Sequence, residues 1–156
     1  MNEAFTELMK RSDIDQAMAT YDDMTTKIRD KLTTELGRTW EQNDYLSGGG
    51  CESDFPGIGA DGSTLNLPRW DSPGNLPDDQ WDRAEKLVGE VGGAYGFHPK
   101  PAIIVNRSGD HDVVFRKPDG ASIRFGTAVN TTLAVATGCH LTAEAHQRGG
   151  PKTRRR

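Results

Sequence analysis

Between Asp13 and Leu36 the apolar side chains Ile14, Ala17, Met18, Tyr21, Met24, Ile28, Leu32 and Leu36 recur at three- and four-residue spacing. Asp15, Asp22, Asp23, Lys27, Asp30 and Lys31 fill the other side. That period predicts a long helix with one apolar stripe, and such a helix persists only when the stripe is buried against another layer. Ser12 is placed to cap it, acids crowd its early turns, and Gly37 supplies the permissive position past its end. A second helix is predicted from Pro77 to about Tyr95, with Trp81, Ala84, Leu87, Val88, Val91 and Tyr95 inward. A shorter one over residues 2–10 would turn Phe5, Leu8 and Met9 inward.

The rest reads as strands. Residues 39–43 suggest a short one, and 63–70 alternate as another that Pro68 pushes toward an edge or bulge. Residues 47–61, with five glycines and a proline between them, are expected to be loop. After Gly96, residues 102–106, 111–117, 121–127 and 131–139 are β-rich and separated by turn residues, an antiparallel meander. The expected fold class is α+β, in the order α-β-β-α-β-β-β-β, with two helices covering one face of an antiparallel sheet. The chain of 156 residues is expected to form a single domain over 1–146 around one core.

The net charge of -4 is uneven: residues 148–156 carry five basic side chains and no acid, leaving -9 on the remainder. An acidic body repels nucleic-acid phosphate and argues against a DNA or RNA partner. The basic stretch 147–156 is expected to be a disordered, dispensable tail. No apolar run is long enough for a membrane span, and the first residues have neither the basic nor the apolar part of an export leader.

The two cysteines, Cys51 and Cys139, read as a bridge in an exported protein and as two thiols in the cytosol. Their surroundings favour the bridge: Cys51 follows the flexible run Ser47-Gly48-Gly49-Gly50, and Cys139 ends an apolar strand. A catalytic Cys139–His140 pair is disfavoured because neighbours on a strand face opposite ways.

His98, His111 and His140 are the candidate metal or acid–base residues. Asp110 and Asp112 flank His111 and point away from it in a strand, which favours a solvated turn over a shared ion. Neither glycine-rich stretch leads directly into a helix, as a phosphate loop would, and no serine sits in a nucleophile elbow. No cofactor and no catalytic residue is assigned. Trp40 and Trp70, at the borders of polar segments, are the candidate binding surface, with core packing the alternative.

Taken together, the helix with Tyr21 and Ile28, the glycine-rich lead to Cys51, the Trp70 strand, the helix opening Asp79-Gln80-Trp81, the phrase Tyr95-Gly96-Phe97 and the end Gly138-Cys139-His140-Leu141 resemble the LppA-like lipoproteins of mycobacteria and related actinobacteria. The resemblance covers about residues 10–142. It implies export, a cell-envelope location, where a bridge between the two cysteines would form, and lipid attachment at a cysteine upstream of residue 1, since these residues hold no lipobox. It brings no activity to carry over. The expected function is a non-enzymatic domain that binds a partner protein, lipid or cell-wall fragment through the sheet or the glycine-rich loop. The alternative is a metal-dependent enzyme or metal-binding protein using His98, His111 or His140.

Overall fold

The computed structural model describes residues 3–152. In chain order it contains α1 (Glu3–Met9), α2 (Ile14–Leu36), β1 (Glu41–Gln42), β2 (Ser47–Gly49), β3 (Gly62–Asn66), β4 (Trp70–Ser72), α3 (Asp78–Ala94), β5 (Ala102–Arg107), β6 (Asp110–Arg116), β7 (Ser122–Thr127), β8 (Thr131–Ala136), β9 (His140–Leu141) and α4 (Ala143–Arg148). The strands run β1-β4-β8-β7-β6-β5 across one antiparallel sheet, with β3 bridging β2, β8 and β9. This is the α+β architecture expected from the periodicities.

The long helix starts at Ile14 with Asp13, not Ser12, as its cap. The Asp13 carboxylate accepts from the Gln16 amide at 2.9 Å while the Gln16 side chain accepts from the Asp13 amide, a reciprocal pair that satisfies two otherwise orphan donors. Gly37 closes the helix at φ 68°, in the left-handed region.

Alternating residues Val113 and Phe115, Ile123 and Phe125, Leu133 and Val135 project from β6, β7 and β8 onto Tyr21, Met24, Ile28 and Leu32 of α2 and Trp81, Ala84 and Val88 of α3. The buried apolar residues form two clusters, where one core was expected. The second joins Phe5 and Leu8 of α1 to Cys51, Ile58, Cys139, Leu141 and Ala145. It packs where β9 pairs with the start of β3 through Gly62↔Leu141 and Ser63↔His140.

Three further differences have local causes. The alternating run 63–70 is two strands, because Pro68 interrupts the ladder between β3 and β4. Part of the expected loop is strand: β2 pairs with β3, and at Gly48 a Cβ would lie 2.9 Å from the Thr64 carbonyl oxygen, so only glycine permits this approach. The last long strand stops at Ala136, and the chain resumes pairing as β9. Gln147 and Arg148, assigned above to the tail, form the last turn of α4, and Arg148 bonds Asp61 at 2.7 Å. Residues 153–156 of that expected tail lie outside the described residues.

Candidate functional site

The cysteines are joined, Cys51 to Cys139, with Cα atoms 5.8 Å apart, and both are buried in the second cluster. The bridge fastens the segment after β2 to the entry of β9. Arg11 reinforces that entry by donating to the carbonyls of Cys139 at 2.8 Å and Asp119 at 3.1 Å.

The three candidate histidines occupy separate environments. His98 is exposed beside Lys100. His111 is buried, 8% exposed, and not part of a solvated turn. Its ring stacks on Trp81, which stacks in turn on Phe125, at 4.7 and 5.2 Å between centroids. Its Nε2 meets Asp78 at 2.8 Å and its Nδ1 meets Asn106 at 2.9 Å, so both nitrogens are engaged. The acid partner comes from the first turn of α3, 33 residues away in the chain, which no local spacing discloses. Hydrogen bonds from the Gly109 amide, His111 and Ser108 hold the Asp78 carboxyl below the ordinary carboxylate range. Among the described residues no group of three or more His, Cys, Asp or Glu side chains is disposed around a common metal position.

His140 is 3% exposed. Its Nδ1 donates to the Ser12 carbonyl at 2.8 Å, and its Nε2 is buried with no hydrogen-bond partner among the described residues. Burial lowers its pKa, so the ring is neutral at pH 7. It lines a cavity of about 180 Å³ with Arg11, Thr20, Tyr21, Lys117 and Asp119.

Trp40 and Trp70 are half-buried and pack against the main core. The Arg29 guanidinium lies 3.6 Å above the Trp70 ring, and both Arg29 Nε and Trp40 Nε1 are buried donors without an acceptor among the described residues.

Two further surfaces escaped the residue patterns. The sheet face opposite α2 and α3 carries a groove of about 380 Å³, lined by Gly126, Thr132 and Ala134 and flanked by the Arg124–Asp112 ion pair at 2.5 Å and by Arg69. The other is the edge strand β5, which pairs only with β6 among the described residues and leaves Ile103 64% and Ile104 50% exposed. Its register against β6 shifts between Ile103 and Val105. Beside it a cleft of about 140 Å³ is formed with Trp81, Asp82 and Glu85 of α3. Burial, and then the Asp82 carboxylate, raise the Glu85 carboxyl above its ordinary value. A period-2 reading expects a half-buried strand here; its position at the sheet margin follows from topology alone.

A family model for LppA, described as "Lipoprotein confined to pathogenic Mycobacterium", matches residues 1–143. No curated protein matches the chain in sequence. Among solved structures, the putative lipoprotein LppA from Mycobacterium tuberculosis superposes with a TM-score of 0.74 at 14% identity, over 96% of this chain and 91% of that one. A DUF4853 family protein from Actinomyces odontolyticus superposes at 0.61 and 14% identity, over 85% of this chain and 71% of that one. At such identity these likenesses speak for the fold.

Proposed function

This chain belongs to the LppA lipoprotein family, and on that premise we propose that it is the extracytoplasmic, non-enzymatic domain of a lipid-anchored envelope protein, built to dock an extended segment of a partner protein along β5. Lipoprotein membership supports the compartment, and the disulfide agrees with an oxidising one.

The observation that carries the docking reading is the β5 edge. Proteins normally blunt a sheet edge by covering it or by charging its side chains, because an open edge templates pairing with another chain. Residues 102–105 of β5 are Ala-Ile-Ile-Val, with both isoleucines turned to solvent. A partner strand laid against them would gain main-chain hydrogen bonds and apolar cover. The adjoining cleft sets its chemistry: Asp82 and Glu85 line it and no cationic side chain does, so the matching strand carries Lys or Arg at alternate positions.

A pair of ten-residue peptides tests this, one alternating threonine with lysine and the other threonine with glutamate. The lysine peptide is expected to bind and to protect the amides of 102–107 from exchange, while the glutamate peptide is not. Ile104→Lys should abolish the protection without lowering Tm, since the side chain is exposed. Absence of protection with either peptide overturns the proposal. So does concentration-dependent dimerisation through β5, which would make a second copy the occupant.

The Trp40 and Trp70 surface is a second reading, favoured by the two buried donors left without acceptors, Arg29 Nε and Trp40 Nε1. A ligand presenting acceptors to them would satisfy these donors. Peptide binding that leaves the amides of 102–107 unprotected and is lost in Trp40→Phe would favour that surface.

A further inference from the structure

The cavity around His140 is a separate matter, because its polar atoms are arranged toward each other and one of them is buried without a partner. Ser12 contributes a carbonyl oxygen, which can only accept, so the proton of the neutral imidazole is on Nδ1 and Nε2 presents a lone pair. Facing that lone pair is Asp119 Oδ2 at 3.9 Å, itself an acceptor and too far away for a hydrogen bond. The other carboxylate oxygen, Oδ1, is already engaged by the Ala121 amide at 3.0 Å.

Across the same space lie donors. Lys117 Nζ bonds the Tyr21 hydroxyl at 3.0 Å and lies 3.9 Å from Asp119 Oδ2. Because that hydroxyl accepts from Lys117, its own hydrogen remains free to donate, and two hydrogens of the ammonium remain as well. Two acceptors and two donors thus converge from three elements of the chain: the turn after β6 with Lys117 and Asp119, the strand β9 with His140, and α2 with Tyr21. Leaving a buried acceptor unsatisfied is unfavourable, and no contact among the described residues offsets it.

We propose that this cavity binds a small polyhydroxylated ligand of monosaccharide size, with adjacent hydroxyls donating to His140 Nε2 and Asp119 Oδ2 and accepting from Lys117 and Tyr21. A hydroxyl both donates and accepts, so a vicinal diol satisfies all four groups at once. A simple anion does not, since it would meet a lone pair and a carboxylate. A metal ion does not either, with Lys117 and Arg11 both lining the space. The volume of about 180 Å³ lies below that of pockets for drug-sized ligands, which suits a single ring.

The test is NMR titration of the full chain with a panel of neutral monosaccharides, their methyl glycosides and myo-inositol, following the His140 Nε2 resonance. One member of the panel is expected to shift that resonance saturably. Equal binding of the methyl glycoside identifies the end of a glycan chain as the source, and preference for the unblocked sugar identifies a free one. His140→Asn keeps a side-chain N–H toward Ser12 but removes the Nε2 acceptor, and should weaken binding at least tenfold, read in this variant from the backbone amide resonances of residues 117–121. Asp119→Asn, which replaces an acceptor by a donor, should do the same with Tm retained. Failure of the whole panel to shift Nε2, or undiminished binding in both variants, overturns the proposal and leaves a cavity that holds water only. Because the readout is local to His140, its result is independent of peptide docking at β5.

Discussion

His111 and Asp78 are bonded at 2.8 Å between Nε2 and Oδ1, joining the start of β6 to the first turn of α3. The same carboxylate accepts from the Gly109 amide at 2.9 Å and the Ser108 hydroxyl at 3.0 Å. One side chain therefore fastens the β5–β6 turn to α3, and the imidazole it holds is stacked on the Trp81 ring. His111, one of the three candidate histidines, is thus a fastening point.

A pH dependence follows. The folded Asp78 carboxyl titrates below its unfolded value of about 3.9. Its contribution is therefore present above the unfolded value and is lost as pH falls through the folded one. Asp78→Asn should lower Tm at pH 7, and the difference from wild type should narrow as the pH falls below about 3.9. A constant difference across pH 3 to 7 would show that the carboxylate charge contributes nothing.

Glu85 has the opposite sign. Burial raises its folded pKa above the unfolded one, so ionisation disfavours the fold once pH rises through the unfolded value of about 4.3. Glu85→Gln should therefore raise Tm slightly at pH 7 and have no effect near pH 3. The same variant should weaken the lysine peptide, a stability cost kept for binding. Equal peptide affinity in the variant would separate the acid from the docking edge.

The end of the chain divides at Gly149, where α4 closes in the left-handed region at φ 78°. Removing residues 151–156 should leave Tm within about 1 °C. Removing residues 147–156 also takes the last turn of α4 and the Arg148–Asp61 bond at 2.7 Å, a change on the order of 0.5–1 kcal/mol. Denaturant titration of both truncations checks this, and equal stabilities would show α4 to be undocked at its end.

What the sequence made legible is what repeats with a period. α2, α3 and the β5–β8 meander announce themselves because six or more apolar residues recur on each predicted helix and the β-rich runs are separated by turn residues. β2 stayed hidden because Ser47-Gly48-Gly49 has no side chains with which to alternate, although a missing side chain is what lets it approach Thr64. β9 is two residues long and α4 six, too short for a period to form. The candidate sites were hidden for another reason: His140 meets Ser12 across 128 positions and His111 meets Asp78 across 33. Only the cysteines, being the single pair available, disclosed a distant contact.

That pair closes a loop of 88 residues. The chain-entropy model assigns such a loop roughly 4–5 kcal/mol as an upper figure, against a typical total of about 5–15 kcal/mol. Reduction, or Cys51→Ser with Cys139→Ser, should lower unfolding free energy by a few kcal/mol and loosen the second cluster before the first. Alkylation of two thiols in unreduced protein, read by mass spectrometry, would remove the bridge and its support for an oxidising compartment.

Gly138, next to the bridge, is the most constrained small residue in the fold. A Cβ there would lie 1.9 Å from the Asp119 carbonyl oxygen and 2.8 Å from its carbon. Both are backbone atoms of the turn that presents Lys117 and Asp119 to the His140 cavity, so the clash cannot be relieved by a side-chain rotation. Gly138→Ala must displace the turn or the strand entry. The expected cost is about 2–3 kcal/mol, at the upper end for overpacking. Gly50→Ala is the control: nothing lies within 4 Å of its added Cβ, and it should change stability by no more than about 0.5 kcal/mol. Denaturant unfolding of the two variants beside wild type measures both. Near-wild-type stability of Gly138→Ala would mean that the β6–β7 turn is free to move, and that the spacing between Asp119 and His140 is not set by the fold.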